Sequence, residues 1–502
     1  TSNNAASGTV IDGPITRAVV YYDLNGNLKK DSFEPYALTD NYGHYNYDLV
    51  NGVSYCYGES FRSEFCLELT DDQEKGITSD TQIIVTGGYD LYTGEPFEGS
   101  MSFPALSSTG LSQFIAITPL TSIVEKNVDG FVDILDYLES EGVAGLTLEN
   151  VVNANFLANA QAFNSQAFAI TYRMHKYATV ISDWVKENYS AIDDGEDLPS
   201  DISAIIYREF INLDKAETKL AYQTSLDNVL DDINDLYYDA NLIPPTKPNT
   251  STLADRLLDV NTAITTAFGN SPVGSALTFD NVKGRIRGVE VVVLKIIRGD
   301  AHGAALTALG SPTYLTNLEG DENDNFNFTQ LIEATDVLTA AQNAKDSTGT
   351  SLNGDVAGKS LEFSDTEGRV TSAAAIYFTG TAEDGRGDIH LCLQYTDLDD
   401  TDNNVEGSYI PGHWEANPAL NNTLMLSLTY LGERNAVLKK IGTNDDGVST
   451  DYRLDFAGET INFESAGTDG NDLVDTAVGT DIPMSDETCF PQSETAVIDT
   501  QF

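Results

Sequence analysis

The chain is 502 residues long and carries 27 basic residues against 78 acidic ones, a formal charge of −51. Nucleic acid and anionic bilayers are held by clustered lysine and arginine, so this balance excludes both as partners. With 41% of its residues hydrophobic, the chain has material for two to four domains with cores of their own.

Such a charge repels itself unless it is screened, which suits salty or calcium-rich surroundings. The sequence opens at Thr1 with the small, polar stretch TSNNAASG, which reads as what remains after a signal peptide is cleaved, or else as a trimmed start. No run approaches the roughly 18 apolar residues needed to cross a bilayer, so a secreted chain without a transmembrane segment is expected. Four cysteines, Cys56, Cys66, Cys392 and Cys489, allow three pairings. Cys56 and Cys66 flank a hairpin-like segment and the other two lie toward the far end, so the expected bonds are Cys56–Cys66 and Cys392–Cys489. Disulfides imply an oxidising, extracellular compartment; four buried free thiols are the competing reading.

Residues 1–118 form the first expected domain. Short strand-like runs (SGTVID, RAVVYYD, HYNYDLV, FCLEL, TQIIVTG) alternate with turn residues and read as a small β-sandwich. Within it, DLNGNLKKDSFE places oxygen-bearing side chains at positions 1, 3, 5, 9 and 12 of a twelve-residue window: Asp23, Asn25, Asn27, Asp31 and Glu34. Lys29, at position 7, offers its backbone carbonyl. This is the ligand spacing of a calcium loop, and hard oxygen donors suit Ca²⁺ where softer metals want His or Cys. Position 6, ordinarily Gly, is Leu28, while Gly26 comes two residues early. The competing reading is an ordinary Asn-Gly hairpin turn with solvated carboxylates.

The stretch from Gly8 to Asp48 resembles the calcium-associated Ig-like repeats of bacterial surface adhesins and the related carboxypeptidase-regulatory-like sandwich modules. The landmarks are Gly8, then Asp12-Gly13-Pro14-Ile15, Val19-Val20, the Asp23–Glu34 window, Pro35, Thr39-Asp40 and Gly43-His44-Tyr45. GGYDLYTGEPFEG and ITPLTSIVEKN, further on, are similar to a segment that follows such modules in large secreted proteins of Gram-negative bacteria. The resemblance covers about the first 125 residues. It implies a secreted or surface-attached structural role and says nothing of residues beyond about 160.

Residues 119–268 read as a helical domain. Phe163, Ala167, Ile170, Met174, Tyr177, Ile181 and Trp184 alternate spacings of four and three with no Gly or Pro between them, which predicts one long helix. Leu148 to Phe156 marks a short helix. Partner stripes are Ile202, Ile205, Ile206, Phe210 and Ile211; Leu226, Val229, Leu230, Ile233, Leu236 and Tyr237; and Leu257, Leu258, Val260, Ile264 and Phe268. Together they predict a bundle. His175 reads as a core-edge side chain rather than a ligand.

Residues 269–502 read as a β-rich domain, an antiparallel barrel or sandwich built as a meander from SLEFSD, AAIYFTG, IHLCLQYTD, TLMLSLTYLG, NAVLKKIG, YRLDFAG and TINFES. The β-branched stretch VEVVVLKII lies among Lys283, Arg285, Arg287, Lys295 and Arg298, the one basic concentration. It either pairs locally or meets an acidic face of another copy. Acidic stretches EGDENDN (from Glu319) and DLDDTDNN (from Asp397) are further calcium candidates without full ligand spacing.

The whole is therefore expected to be multidomain α+β. Zinc-type His spacing, a nucleophile elbow, a phosphate loop and a dinucleotide fingerprint are all missing from the sequence, so it is not expected to be an enzyme. Ala496, Ile498 and Phe502 line one side of a strand-like C-terminal stretch that can complete a neighbour's sheet. The expected function is a secreted bacterial structural subunit of an extracellular filament, matrix or surface adhesin. Copies would join head to tail through their termini and be stabilised by calcium and disulfides. The alternatives are a monomeric glycan- or protein-binding surface protein, with Tyr409 and Trp414 as exposed contacts, and a polysaccharide-acting enzyme.

Overall fold

The computed structural model describes residues 7–10, 14–78, 80–104, 114–126, 131–142, 162–189, 192, 197–237, 246–269, 279–320, 326–345, 352, 356–358, 360–367, 370–381, 383, 385–397, 405–417, 420, 422–429, 433–443, 450–456, 459–464 and 473–474. The fold is multidomain α+β. Its contacts divide it into two compact units: Thr1–Thr93, Phe97–Glu319 and Ala334–Gln342 make the first, and Gly94–Pro96, Gly320–Glu333 and Asn343–Phe502 the second. Among the described residues no helix is long and apolar enough to cross a membrane.

The first unit begins with the sandwich. Ser100–Pro104, Gln82–Thr86, Val19–Asp23 and Tyr36–Leu38 lie side by side in that order, antiparallel throughout. In a second sheet Ser7–Val10 lies between Phe114–Ile117, parallel to it, and His44–Tyr45, antiparallel to it. Alternation along the strands sends Val20, Tyr22, Ile83, Val85, Met101 and Phe103 inward from the first sheet, where they share one core with Tyr45 and Ile117 from the second. Tyr21 points the other way and donates its hydroxyl to the Leu28 carbonyl at 3.1 Å, tying the sheet to the loop that follows Asp23.

The helical part of this unit is organised around Ala162–Asn188, the long helix its heptad predicts. The helix is not amphipathic in the ordinary sense. Besides Ile170, Met174, Tyr177, Ile181 and Trp184 it buries Phe168, Tyr172, Val180 and Val185, so neighbours cover it on nearly every side. Its polar residues find partners inside: Tyr177 meets Tyr222 hydroxyl to hydroxyl at 2.5 Å, and Lys176 forms a buried ion pair with Glu290 at 2.5 Å. Asp197–Arg208 and the short Phe210–Asp214, Lys219–Tyr237, and Ser251–Ile264 continued by Thr265–Gly269 carry the expected apolar stripes, with Leu236 exposed and Ile211, Tyr237 and Leu258 partly buried. The expected helix at 148–156 lies outside the described residues.

The boundary placed at 268/269 does not mark a change from helix to sheet. Phe279–Arg298 is a helix of 20 residues within the first unit, followed by Gly303–Ala308, Pro312–Glu319, Phe328–Glu333 and Val337–Lys345. VEVVVLKII favours strand by propensity, yet Val289, Val291, Val292, Val293 and Ile296 are all buried in helical form, so tertiary packing outweighs propensity. Gly284 and Gly288, one turn apart, let Pro312–Glu319 come close. A Cβ on Gly284 would sit 2.5 Å from the Leu315 carbonyl oxygen.

Among the described residues the second unit carries a nine-stranded antiparallel sheet: eight strands form a meander in chain order from Ser360–Glu367 to Glu459–Glu464, and Leu473–Val474 is the ninth, on the free edge of the first. The strands Ser360–Glu367 and Glu459–Glu464 approach without being hydrogen-bond neighbours, so the sheet curls toward a barrel. Ile376, Phe378, Ile389, Leu391, Ile410, Trp414, Leu424, Leu426, Leu428, Leu438 and Leu454 form its interior core. One strand, Val405–Ala416, carries Pro411 and Gly412 and was not expected. Its ladder to the next strand starts only at Gly412↔Leu428, so Pro411 lies where the described sheet has a neighbour on one side, a place a proline tolerates.

Candidate metal centre

The Asp23–Glu34 segment leaves the Val19–Asp23 strand as a tight loop whose backbone is shaped by its own carboxylates. Asp23 is buried. Its Oδ1 accepts N–H bonds from Gly26 (2.8 Å) and Asn27 (3.2 Å), and its Oδ2 accepts one from Leu28 (3.0 Å). Leu28 has φ +62°, so the position that carries Gly in a calcium loop takes the left-handed conformation here with a Leu; Gly26, at φ +74°, supplies a second such turn. Glu34, also buried, accepts N–H bonds from Leu24 (2.8 Å) and Asp31 (2.9 Å) and so closes the loop.

The five side chains picked out by spacing are thus brought to one loop, but not yet around one point. The amides of Asn25 and Asn27 donate to the same Asp31 oxygen at 2.7 and 2.8 Å, while their oxygens accept the N–H groups of Asn27 and Lys29. Each of those oxygens keeps a second lone pair, as do Asp23 Oδ2 and both carboxylate oxygens of Glu34. The donor set is all oxygen and suits a hard cation. Calcium binding requires Asp31 to exchange two amide partners for the ion.

Among the described residues, two groups of His, Cys, Asp or Glu each place one ligand atom per residue within 4.8 Å of one another: Asp40, His44 and Asp48; and Cys56, Cys66 and Glu68. Cys56 and Cys66 are joined in a disulfide, with Cα atoms 5.1 Å apart, so their sulfurs are not thiolate ligands and the second group is not a metal centre while the bond is intact. Cys392 is also disulfide-bonded; Cys489, its expected partner, lies outside the described residues.

Two successive turns build the first group. Asp40 follows Tyr36–Leu38 and opens a turn through Gly43, in which the Asp40 N–H donates to the His44 carbonyl at 2.8 Å. Asp40 Oδ1 accepts N–H bonds from Tyr42 (2.7 Å) and His44 (2.9 Å), and its Oδ2 accepts the Tyr55 hydroxyl at 2.6 Å. Asp48 ends the short strand Tyr47–Asp48. Its Oδ1 accepts N–H bonds from Val50 (2.8 Å) and Asn51 (3.1 Å), and its Oδ2 accepts the Asn51 side chain at 2.7 Å. Burial opposes ionisation of Asp48, but hydrogen bonds from Asn51 and Val50 and the nearby His44 outweigh it and hold the carboxyl below its ordinary pKa. Burial pushes the Tyr55 hydroxyl far up, helped by its bond to Asp40, so it stays a donor. Spacing gave no hint of this group as a site. The intervals of four and four between 40, 44 and 48 mark one face of a helix, and here they fall on turns and short strands.

Other candidate residues are otherwise engaged. His175 Nε2 lies 3.0 Å from the Glu98 carbonyl and its ring stacks on Phe97, as a core side chain does. The basic stretch is turned inward. Arg287 is fully buried and donates to the carbonyls of Tyr92 (2.7 Å) and Leu318 (2.8 Å), and Lys295 donates to Ala334 at 2.8 Å. With Lys283 also buried, these three cations are not presented to another copy. Trp414, expected as an exposed glycan contact, is 1% exposed and donates its indole N–H to Thr379; Tyr409 is partly buried beside Cys392 and bonded to His390 Nδ1 at 2.6 Å. The acidic stretches at 321–325 and 398–404 and the C-terminal stretch with Ala496, Ile498 and Phe502 lie outside the described residues. Comparison with protein-family models, with curated proteins and with solved structures finds no match to this chain.

Proposed function

We propose that the chain is a secreted structural protein of the cell exterior, a subunit of an extracellular filament, matrix or adhesin, whose N-terminal sandwich is rigidified by calcium in the Asp23–Glu34 loop. The observation that carries the reading is the backbone of that loop. Leu28 is held left-handed while Asp23 accepts three successive N–H groups, a costly conformation for a residue with a Cβ and the one a twelve-residue calcium loop uses at its sixth position. The Cys56–Cys66 disulfide in the same sandwich and the charge of −51 support an oxidising, cation-rich setting. Head-to-tail joining through the chain ends belongs to the proposal, as does a bacterial origin, which rests on the adhesin resemblance.

Negative-stain imaging of native material, with and without calcium, tests the assembly. Ordered polymers are expected with calcium, and monodisperse monomers in both conditions would contradict it.

A second reading, a monomeric module that binds glycan or protein, is favoured by one feature. Phe33, Tyr36, Tyr42, Tyr57 and Phe61 are all more than 40% exposed within one short stretch of the sandwich. Binding of a glycan array by monomeric protein, lost on replacing these rings with Ala, would favour this reading over assembly.

A further inference from the structure

The loop at 23–34 offers oxygen alone. The cluster at 40, 44 and 48 offers a nitrogen. We propose that Asp40, His44 and Asp48 form a second cation site, distinct from the calcium loop, that takes a zinc-class divalent ion through His44 Nδ1 and one oxygen of each carboxylate.

Three observations point there. First, His44 is 6% exposed and its Nδ1 is buried with no hydrogen-bond partner among the described residues. A buried ring nitrogen left without a partner is costly, and native structures rarely leave one so. This nitrogen lies 3.6 Å from Asp40 Oδ2, too far for a hydrogen bond. Two ligands bound at about 2.1 Å to one tetrahedral ion stand about 3.4 Å apart, close to the spacing seen.

Second, the carboxylates are short of positive charge. Asp40 and Asp48 are 4% and 7% exposed, and no lysine or arginine among the described residues makes an ion pair with either. Two buried anions facing one imidazole favour a divalent cation between them.

Third, the ligands are already held. Backbone N–H groups of Tyr42, His44, Val50 and Asn51 fix the carboxylates, and the Tyr55 hydroxyl orients the Asp40 oxygen nearest the imidazole. These are the outer contacts that aim metal-binding carboxylates, and the Oδ2 of each, which accepts a single hydrogen bond, keeps a lone pair for the ion. Tyr55 is followed at once by Cys56, whose bond to Cys66 anchors that segment. An imidazole with two carboxylates suits zinc, nickel or iron(II) better than calcium or magnesium, and three protein ligands leave a fourth place for water.

The test uses the full-length, disulfide-intact chain, stripped of metal and kept in excess calcium so that oxygen-only sites are filled. Zinc is titrated against a chromophoric chelator. One equivalent is expected to bind. His44→Gln and Asp40→Asn are each expected to weaken it by at least about tenfold, Tyr55→Phe by about 10–100-fold, and Asp31→Asn in the calcium loop to leave it unchanged. Equal zinc affinity in wild type and His44→Gln, or no stoichiometric uptake, would overturn the site. Should the His44 variant fail to fold, X-ray absorption of the zinc-loaded wild type decides. One imidazole nitrogen in the shell is expected, and an all-oxygen shell would overturn the proposal.

Discussion

Leu28 shows how one residue can carry a cost on behalf of a loop. Its left-handed backbone costs about 1–2 kcal/mol against a right-handed one, and the side chain is 44% exposed, so packing recovers little. Leu28→Gly removes the strain but adds backbone entropy to the unfolded chain, for a net gain of about 0.5–1 kcal/mol, read as a higher urea midpoint. A second residue-scale case is Asp183 on the long helix. Burial, and then the charge of Glu187, push its carboxyl up to about 6, although Arg256 lies 3.8 Å away. The folded chain therefore binds this proton more tightly than the unfolded one. The contribution is harmless below about pH 4 and becomes a penalty as pH rises through 6. Asp183→Asn should stabilise the protein at pH 7.5 and have little effect at pH 4, as denaturation at the two pH values would show. Of the two proposed metal sites, the loop was legible because its five oxygen-bearing side chains are local and their spacing is the signal. Asp40, His44 and Asp48 were not, because Tyr55, Asn51 and two successive turns are what converge them, and no interval in the sequence encodes that.

Among elements, Ala162–Asn188 was readable from its heptad, but the heptad showed only one face of a helix that is buried on almost all of them. The remaining faces carry Tyr172 and Lys176, which fall outside the heptad and are buried because both meet Glu290. Phe279–Arg298 was harder, since β-branched residues pull toward strand while only the surrounding helices decide otherwise. Its glycines give a direct check. Gly284→Ala improves helix propensity by about 1 kcal/mol, yet its methyl group would press on the Leu315 carbonyl. The expected outcome is a net loss of about 1–3 kcal/mol in chemical denaturation, where an exposed helical Gly→Ala would gain. The strand Val405–Ala416 was missed for a related reason. The one-sided ladder that accommodates Pro411 is visible only in the register.

At the scale of the molecule, charge and cross-links set the conditions for folding. A chain of net charge −51 should gain stability steadily as sodium chloride is raised from low ionic strength, in proportion to the self-repulsion that salt screens. Replacing both Cys56 and Cys66 with Ser should cost about 3 kcal/mol in the chain-entropy picture, seen as a lower unfolding midpoint under non-reducing conditions. The central claim is that calcium in the Asp23–Glu34 loop hardens the sandwich. The most direct measurement is calorimetric unfolding of the disulfide-intact protein with saturating calcium and with chelator, alongside Asp31→Asn. At 100 times the dissociation constant, calcium should stabilise the wild type by about 2.7 kcal/mol and the variant by much less. Identical transitions in both conditions, with no calcium retained by the wild type, would contradict the account.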